Sequence, residues 1–220
     1  MDTAAYTYKN KLKHTQPGMA KHYDFIKMAE NGDTLGHEFL MLREPAEDMF
    51  VMTAETGALR LYLNQDKLVD CGNTAYISIR QSHHKFKADV TMDYSGLTGE
   101  DKAGMALLQN NLYHIRAEYC NGFVSVIKVQ DGKELVLAKQ QVPAFDSKLT
   151  LWIKADDEQA DIGCGDITLA ENMDIHELST EVAGGFVGCT IGMYGTTDEE
   201  KTNAYVDFLS FSYKKCERIY

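Results

Sequence analysis

The sequence is short of positive charge. It holds 22 lysines and arginines against 33 aspartates and glutamates, a formal net charge of −11. Such a surface repels phosphate backbones and anionic headgroups, so neither nucleic acid nor a membrane surface is an expected partner. The five cysteines, Cys71, Cys120, Cys164, Cys189 and Cys216, are odd in number, widely spaced and never arranged as C-x-x-C. That spacing indicates neither a disulfide framework nor a zinc site, and a reducing, cytoplasmic setting is the expectation. No run is long and apolar enough for a signal-peptide core or a membrane span. Helical patterning is scarce too. Residues 174–180 read as about one helical turn, and residues 24–30 are compatible with a short helix.

What the chain does have is strands. A length of 220 residues with 44% hydrophobic content suits one large all-β domain with a real core. Residues 1–22 are polar, contain Pro17-Gly18 and read as a linker or a loosely docked arm, with the domain occupying residues 23–220. Within residues 75–94, Phe86, Ala88, Val90, Met92 and Tyr94 alternate with Lys85, Lys87, Asp89, Thr91 and Asp93, the period of a half-buried strand. Upstream, Ile77 and Ile79 carry the apolar face at odd positions, so the register must switch between Arg80 and Lys85. A bulge or bend within the strand fits that switch. Residues 102–108, 112–119, 122–130 and 133–139 form four further strand-length runs, separated by Asn110-Asn111, Asn121-Gly122 and Asp131-Gly132. Asn-Gly and Asp-Gly favour type I′ hairpins, which need positive φ at both central positions. Leu149, Leu151 and Ile153 then share one strand face opposite Trp152. The last strand alternates Tyr205, Asp207, Leu209, Phe211 and Tyr213 against Val206, Phe208 and Ser210. Many short strands with regular turns predict an antiparallel β-sandwich or jelly roll.

Several stretches, taken in order, resemble one family. TLGHEFLMLREP (34–45), TGALRLYL (56–63), IRQSHHKFKADVTMDY (79–94), DKAGMALLQNNLYHIRAEY (101–119), LTLWIKA (149–155), ELSTEVAGGFVGCTIGMYG (177–195) and AYVDFLSFSY (204–213) are similar to the C-terminal concanavalin A-like domain of family 43 glycoside hydrolases, the β-xylosidase and arabinofuranosidase group. The resemblance implies a jelly-roll sandwich that accompanies a catalytic propeller. In that family the propeller precedes this domain and carries the essential carboxylates. The chain departs from the pattern in lacking the propeller and in reading QADIGCGDITLAENM (159–173) where relatives carry an aromatic-rich strand.

Hydrolysis by the sandwich itself would need two carboxylates roughly 5 to 10 Å apart, one of them protonated. Concanavalin A-like hydrolases place them as Glu-x-Asp-x-Glu on a strand face. Here Asp156-Asp157-Glu158 falls in a turn and the acids of residues 171–177 have the wrong spacing. A glycan-binding module is therefore the expected function, for a xylose- or arabinose-type oligosaccharide. A structural domain docking on a catalytic propeller is the alternative, and a hydrolase with an unrecognised site the second. Arg80, Gln81 and His83 offer donors and acceptors for vicinal hydroxyls. Trp152 offers an aromatic face, and Tyr113 a hydroxyl after the Asn110-Asn111 turn. The His83-His84 pair suggests a metal, but sequential residues on a strand diverge and no third ligand is offered; calcium is the better candidate, through Asp24 and Asp207, which converge if the first and last strands are neighbours. Expected partners are a plant-type oligosaccharide, a glycosidase catalytic domain, or a second copy of the chain.

Overall fold

A computed structural model describes residues 20–44, 46–142, 146–185, 188–200 and 203–216. Strand β1 (Ala20–Asp24) leads into helix α1 (Phe25–Asn31), followed by β2 (Leu40–Met41), β3 (Phe50–Thr53), β4 (Ala58–Tyr62), β5 (Ala75–Arg80), β6 (Lys85–Asp93), β7 (Lys102–Asn110), β8 (Tyr113–Cys120), β9 (Phe123–Gln130), β10 (Lys133–Gln141), β11 (Lys148–Asp156), β12 (Gln159–Cys164) and β13 (Ile167–Asp174). A 3₁₀ turn (His176–Leu178), helix α2 (Thr180–Ala183), β14 (Thr190–Thr196) and β15 (Tyr205–Lys215) complete it. Residues 1–19 of the arm expected from sequence lie outside the described residues. Ala20, Lys21 and His22, which that reading placed in the arm, begin β1 and pair with Lys214, Tyr213 and Ser212 of β15.

The strands form two antiparallel sheets. The first runs β13-β12-β11-β6-β15-β4-β3 with β1 added to β15, and the second runs β10-β9-β8-β7-β14-β5-β2. Alternate residues from both enter one core: Phe86, Ala88, Val90 and Met92 of β6, Leu151 and Ile153 of β11, Ile77 and Ile79 of β5, and Met105 and Leu107 of β7. This is an antiparallel β-sandwich, as the strand pattern predicts, of the concanavalin A-like kind that the resemblance implies. The hairpins follow their sequences. Asn121 and Gly122 have φ of 46° and 83°, and Asp131 and Gly132 of 51° and 72°, the left-handed pair a type I′ turn demands. The Asn110-Asn111 turn works differently, with the Asn110 carboxamide oxygen accepting the N–H groups of Leu112 and Tyr113 at 3.0 Å each.

Two parity readings need correction. The register switch between Arg80 and Lys85 is not a bulge within one strand: β5 belongs to the second sheet and β6 to the first. Each sheet turns its apolar face towards the shared core, so the parity must invert where the chain crosses between them. Conversely, the last strand does not alternate without a break. Its pairing with β6 shifts between Phe208 and Ser210, so Val206 and Phe208 are buried before the shift and Phe211 and Tyr213 after it. A bulge there puts two odd-numbered aromatics inside without disturbing the earlier even-numbered ones.

The outer face of the second sheet is covered. Leu68, on the segment joining β4 to β5, packs against Tyr76, Ala106, Leu108 and Tyr194 in a smaller core. Beside it, Arg116 donates to Glu118 at 2.9 Å and to Glu134 at 2.7 Å, while the Tyr194 hydroxyl donates to Glu118. Buried charges of this kind persist because each has a partner.

Candidate functional site

The largest concavity, of about 1080 Å³, opens at one end of the sandwich, where the chain crosses between sheets. Its walls are the β5–β6 connection (Gln81, Ser82, His83, His84), the β11–β12 turn (Asp156 to Gln159), the segment from Ile175 to Glu181, and Gly188 and Cys189 before β14. Leu107 and Gln109 of β7 complete it. The floor is apolar, through Leu107, Ile175 and Leu178, and the rim carries amides, imidazoles, hydroxyls and carboxylates. The lining is mostly polar, with many side chains able to donate or accept hydrogen bonds around three apolar ones.

Tyr213 holds the β5–β6 wall in place. From its buried position on β15, its hydroxyl accepts the backbone N–H groups of Ser82 and His83 at 3.0 Å each and lies 3.3 Å from His83 Nδ1. With both N–H groups pointing at the oxygen, the hydroxyl proton is directed to Nδ1, which leaves the ring's own proton on Nε2. Burial, with a smaller contribution from Lys215, lowers the His83 pKa and keeps this ring neutral. The Gln81 N–H donates to the Cys189 carbonyl at 3.0 Å and its side chain to the His83 carbonyl at 3.1 Å, tying the crossing to the start of β14. The Asp157 N–H donates to the His84 carbonyl at 3.1 Å, joining the β11–β12 turn to the same wall.

The acidic side chains in the groove are committed to partners. Lys85 binds both Asp156 and Asp157, and His176 Nδ1 lies 3.1 Å from Glu158. Glu181 is held below the usual carboxylate range by its own backbone N–H and by Ser179. Burial pushes the Cys189 thiol up to about 12, so it stays protonated and donates weakly to Gln109 and to the Leu178 carbonyl.

Of the residues singled out by sequence, Gln81 and His83 share the groove, and Arg80, Trp152 and Tyr113 are not among its lining residues. Arg80 ends β5, exposed, on the face opposite Ile77 and Ile79. Trp152 does lie opposite Leu151 and Ile153, on the outer face of the first sheet. Its indole N–H donates to the Gly165 carbonyl at 2.9 Å, its ring packs on Gly163, and the Lys87 ammonium sits 5.2 Å from the ring centre. Tyr113 packs against the core. The first and last strands are neighbours, as the calcium reading required, but the two acids are engaged elsewhere. Asp24 caps α1 by accepting from the Lys27 N–H, and Asp207 takes two 2.8 Å bonds from Arg60. Among the described residues no group of three or more His, Cys, Asp or Glu side chains is arranged to hold a metal.

Sequence reasoning passed over Asp156 to Gln159, His176 and Ser179 to Glu181 as groove residues. Their common signal is position. Each sits in a connection at the same end of the sandwich, which only the sheet order reveals.

The two antiparallel sheets and their shared core define a concanavalin A-like β-sandwich. Residues 31–214 match the family model for the β-xylosidase C-terminal concanavalin A-like domain, and the chain belongs to that family. A xylosidase/arabinosidase of Butyrivibrio fibrisolvens is 29% identical over 206 residues, covering 84% of this chain and 37% of that protein. A non-reducing end α-L-arabinofuranosidase of Bacteroides ovatus is 21% identical over 204 residues, with 36% of its length matched. Among solved structures, a GH43 protein from Bacillus licheniformis superimposes with a TM-score of 0.77 at 21% identity, over 89% of this chain and 39% of that one. The chain therefore spans little more than a third of the relatives it matches.

Proposed function

We propose that this domain is a noncatalytic, carbohydrate-associated module of a family 43 glycosidase, and that its end groove binds a xylose- or arabinose-type glycan weakly. The observation that carries the reading is the groove itself: Gln81, His83, Gln109 and Gln159 set amide and imidazole groups around three apolar side chains, from the β5–β6 connection and the ends of β7 and β12. The relatives named for xylosidase and arabinofuranosidase activity support the sugar class. A noncatalytic role is supported by the pairing of the groove carboxylates. Lys85 is shared by two and His176 accompanies a third, whereas two-carboxylate hydrolysis requires an acid that keeps its proton. Because Trp152 is not among the groove residues, calorimetry reports binding better than tryptophan emission does. Saturable heat with arabinoxylo-oligosaccharides, lost in Gln81→Ala, together with no turnover of chromogenic pentosides, is the expected result. Turnover by the isolated chain would overturn the noncatalytic role. We extend the proposal to a cytoplasmic setting, which cell fractionation tests.

A second reading is docking on a catalytic propeller. It is favoured by the edge strand β10, where Leu135, Val136 and Leu137 are 59%, 58% and 39% exposed, near β13 with Ile167 at 51%. Such a row on a sheet edge invites cover by another domain. Co-purification with a family 43 propeller, lost in Leu135→Lys, is the outcome this reading expects.

A further inference from the structure

We infer that the groove selects neutral glycans and rejects those carrying a uronic acid, an inference that rests on the glycan-binding reading above. Asp156, Asp157, Glu158 and Glu181 line it, and none of its described lining residues is a lysine or arginine. The Lys85 ammonium, on β6, is shared by Asp156 and Asp157, and Lys215 lies near enough to His83 to act on its ring. His176 stands beside Glu158, and burial disfavours the charged form of His83. The groove therefore carries an excess of negative charge within a chain whose net charge is already −11.

Carboxylate oxygens accept hydrogen bonds from sugar hydroxyls, so this lining suits a neutral pentose chain. A sugar carboxylate placed in the same space meets several like charges, and the Lys85 ammonium is already held by Asp156 and Asp157. Repulsion between unit charges a few ångströms apart near a protein surface is enough for a discrimination of about tenfold at low salt, and it is screened as ionic strength rises. Rejection of the unwanted ligand by unpaired like charge is a common route to specificity.

Calorimetric titration of the whole chain with a linear xylo-oligosaccharide, and with the same oligosaccharide bearing one glucuronic acid branch, tests this. The expected result is binding of the neutral chain and about tenfold weaker binding of the acidic one at low salt, with the ratio falling towards one near molar salt. The variant Asp157→Asn is expected to narrow the ratio without loss of fold, since Asp157 has φ of 56°, a conformation asparagine adopts readily. Circular dichroism checks the fold, and Glu158→Gln, on an exposed side chain, serves as the second variant. Equal affinity for both glycans at low salt would overturn the selectivity and leave the glycan-binding reading standing. Binding of neither would remove that reading and the selectivity with it.

Discussion

Single residues account for two measurable properties. His114 is fully buried on β8 beside Arg116, and burial together with that positive charge pushes its pKa down to about 3. The unfolded chain takes up a proton at this imidazole below pH 6.5 and the folded chain does not until about 3, so unfolding is favoured as the pH falls through that window. The expected loss from this group is about 1.4 kcal/mol per pH unit. Denaturant unfolding across that range would read it, and His114→Gln is expected to flatten the slope. A slope unchanged in the variant would assign the acid sensitivity elsewhere. Gly163 is the second case. A Cβ built there would lie 2.3 Å from the Trp152 ring and 2.2 Å from the Ile167 carbonyl oxygen. Gly163→Ala is therefore expected to cost about 2 kcal/mol and to shift tryptophan emission, because the indole loses the surface it rests on.

At the scale of elements, the β5–β6 crossing depends on one hydroxyl. Tyr213→Phe keeps the ring that stacks on Phe86 at 5.1 Å but strands the N–H groups of Ser82 and His83. A cost of about 2 kcal/mol and faster amide exchange at those two residues are expected, with strand β6 unaffected. The β15–β4 pair gives a different expectation. Arg60 grips Asp207 with two hydrogen bonds while stacking 3.6 Å from the centre of the Tyr205 ring, so the carboxylate already has its cation. Millimolar calcium should leave the melting temperature unchanged, and a rise of several degrees would restore Asp207 as a candidate ligand.

Most of these elements were legible from local pattern, because a hairpin is decided by nearest neighbours. Asn121-Gly122 and Asp131-Gly132 fix their turns through backbone conformation alone. The inversion between Arg80 and Lys85 was visible as a change of parity, but parity is the same for a bulge and for a crossing between sheets. Only long-range pairing, Thr190 with Arg80 on one side and Lys85 with Asp156 on the other, separates the two. The shift between Phe208 and Ser210 was hidden for the same reason. It too is a change of parity, from Val206 and Phe208 to Phe211 and Tyr213, and apolar Leu209 between them blurs where one pattern ends and the other begins.

For the molecule as a whole, the fold and the family follow from ordered strand patterns, and the site does not. Gln81 and His83 were identifiable because a register change re-aims side chains. Trp152 was placed correctly by parity, on the face opposite Leu151 and Ile153, yet parity says nothing of the distance between a sheet's outer face and the sandwich end. The groove is assembled from three connections distant in sequence, and its acidic character emerges only when the β11–β12 turn and α2 are brought beside the β5–β6 crossing. The covered outer face of the second sheet, under Leu68, likewise leaves the end groove as the better-formed recognition surface.

The most direct measurement is calorimetric titration of the chain with an arabinoxylo-oligosaccharide, run in parallel on Gln81→Ala and on Trp152→Phe. Saturable binding that Gln81→Ala abolishes and Trp152→Phe preserves is the expected result and places the glycan in the end groove. Binding that depends on Trp152 and ignores Gln81 would contradict the account and move recognition to the outer face of the first sheet.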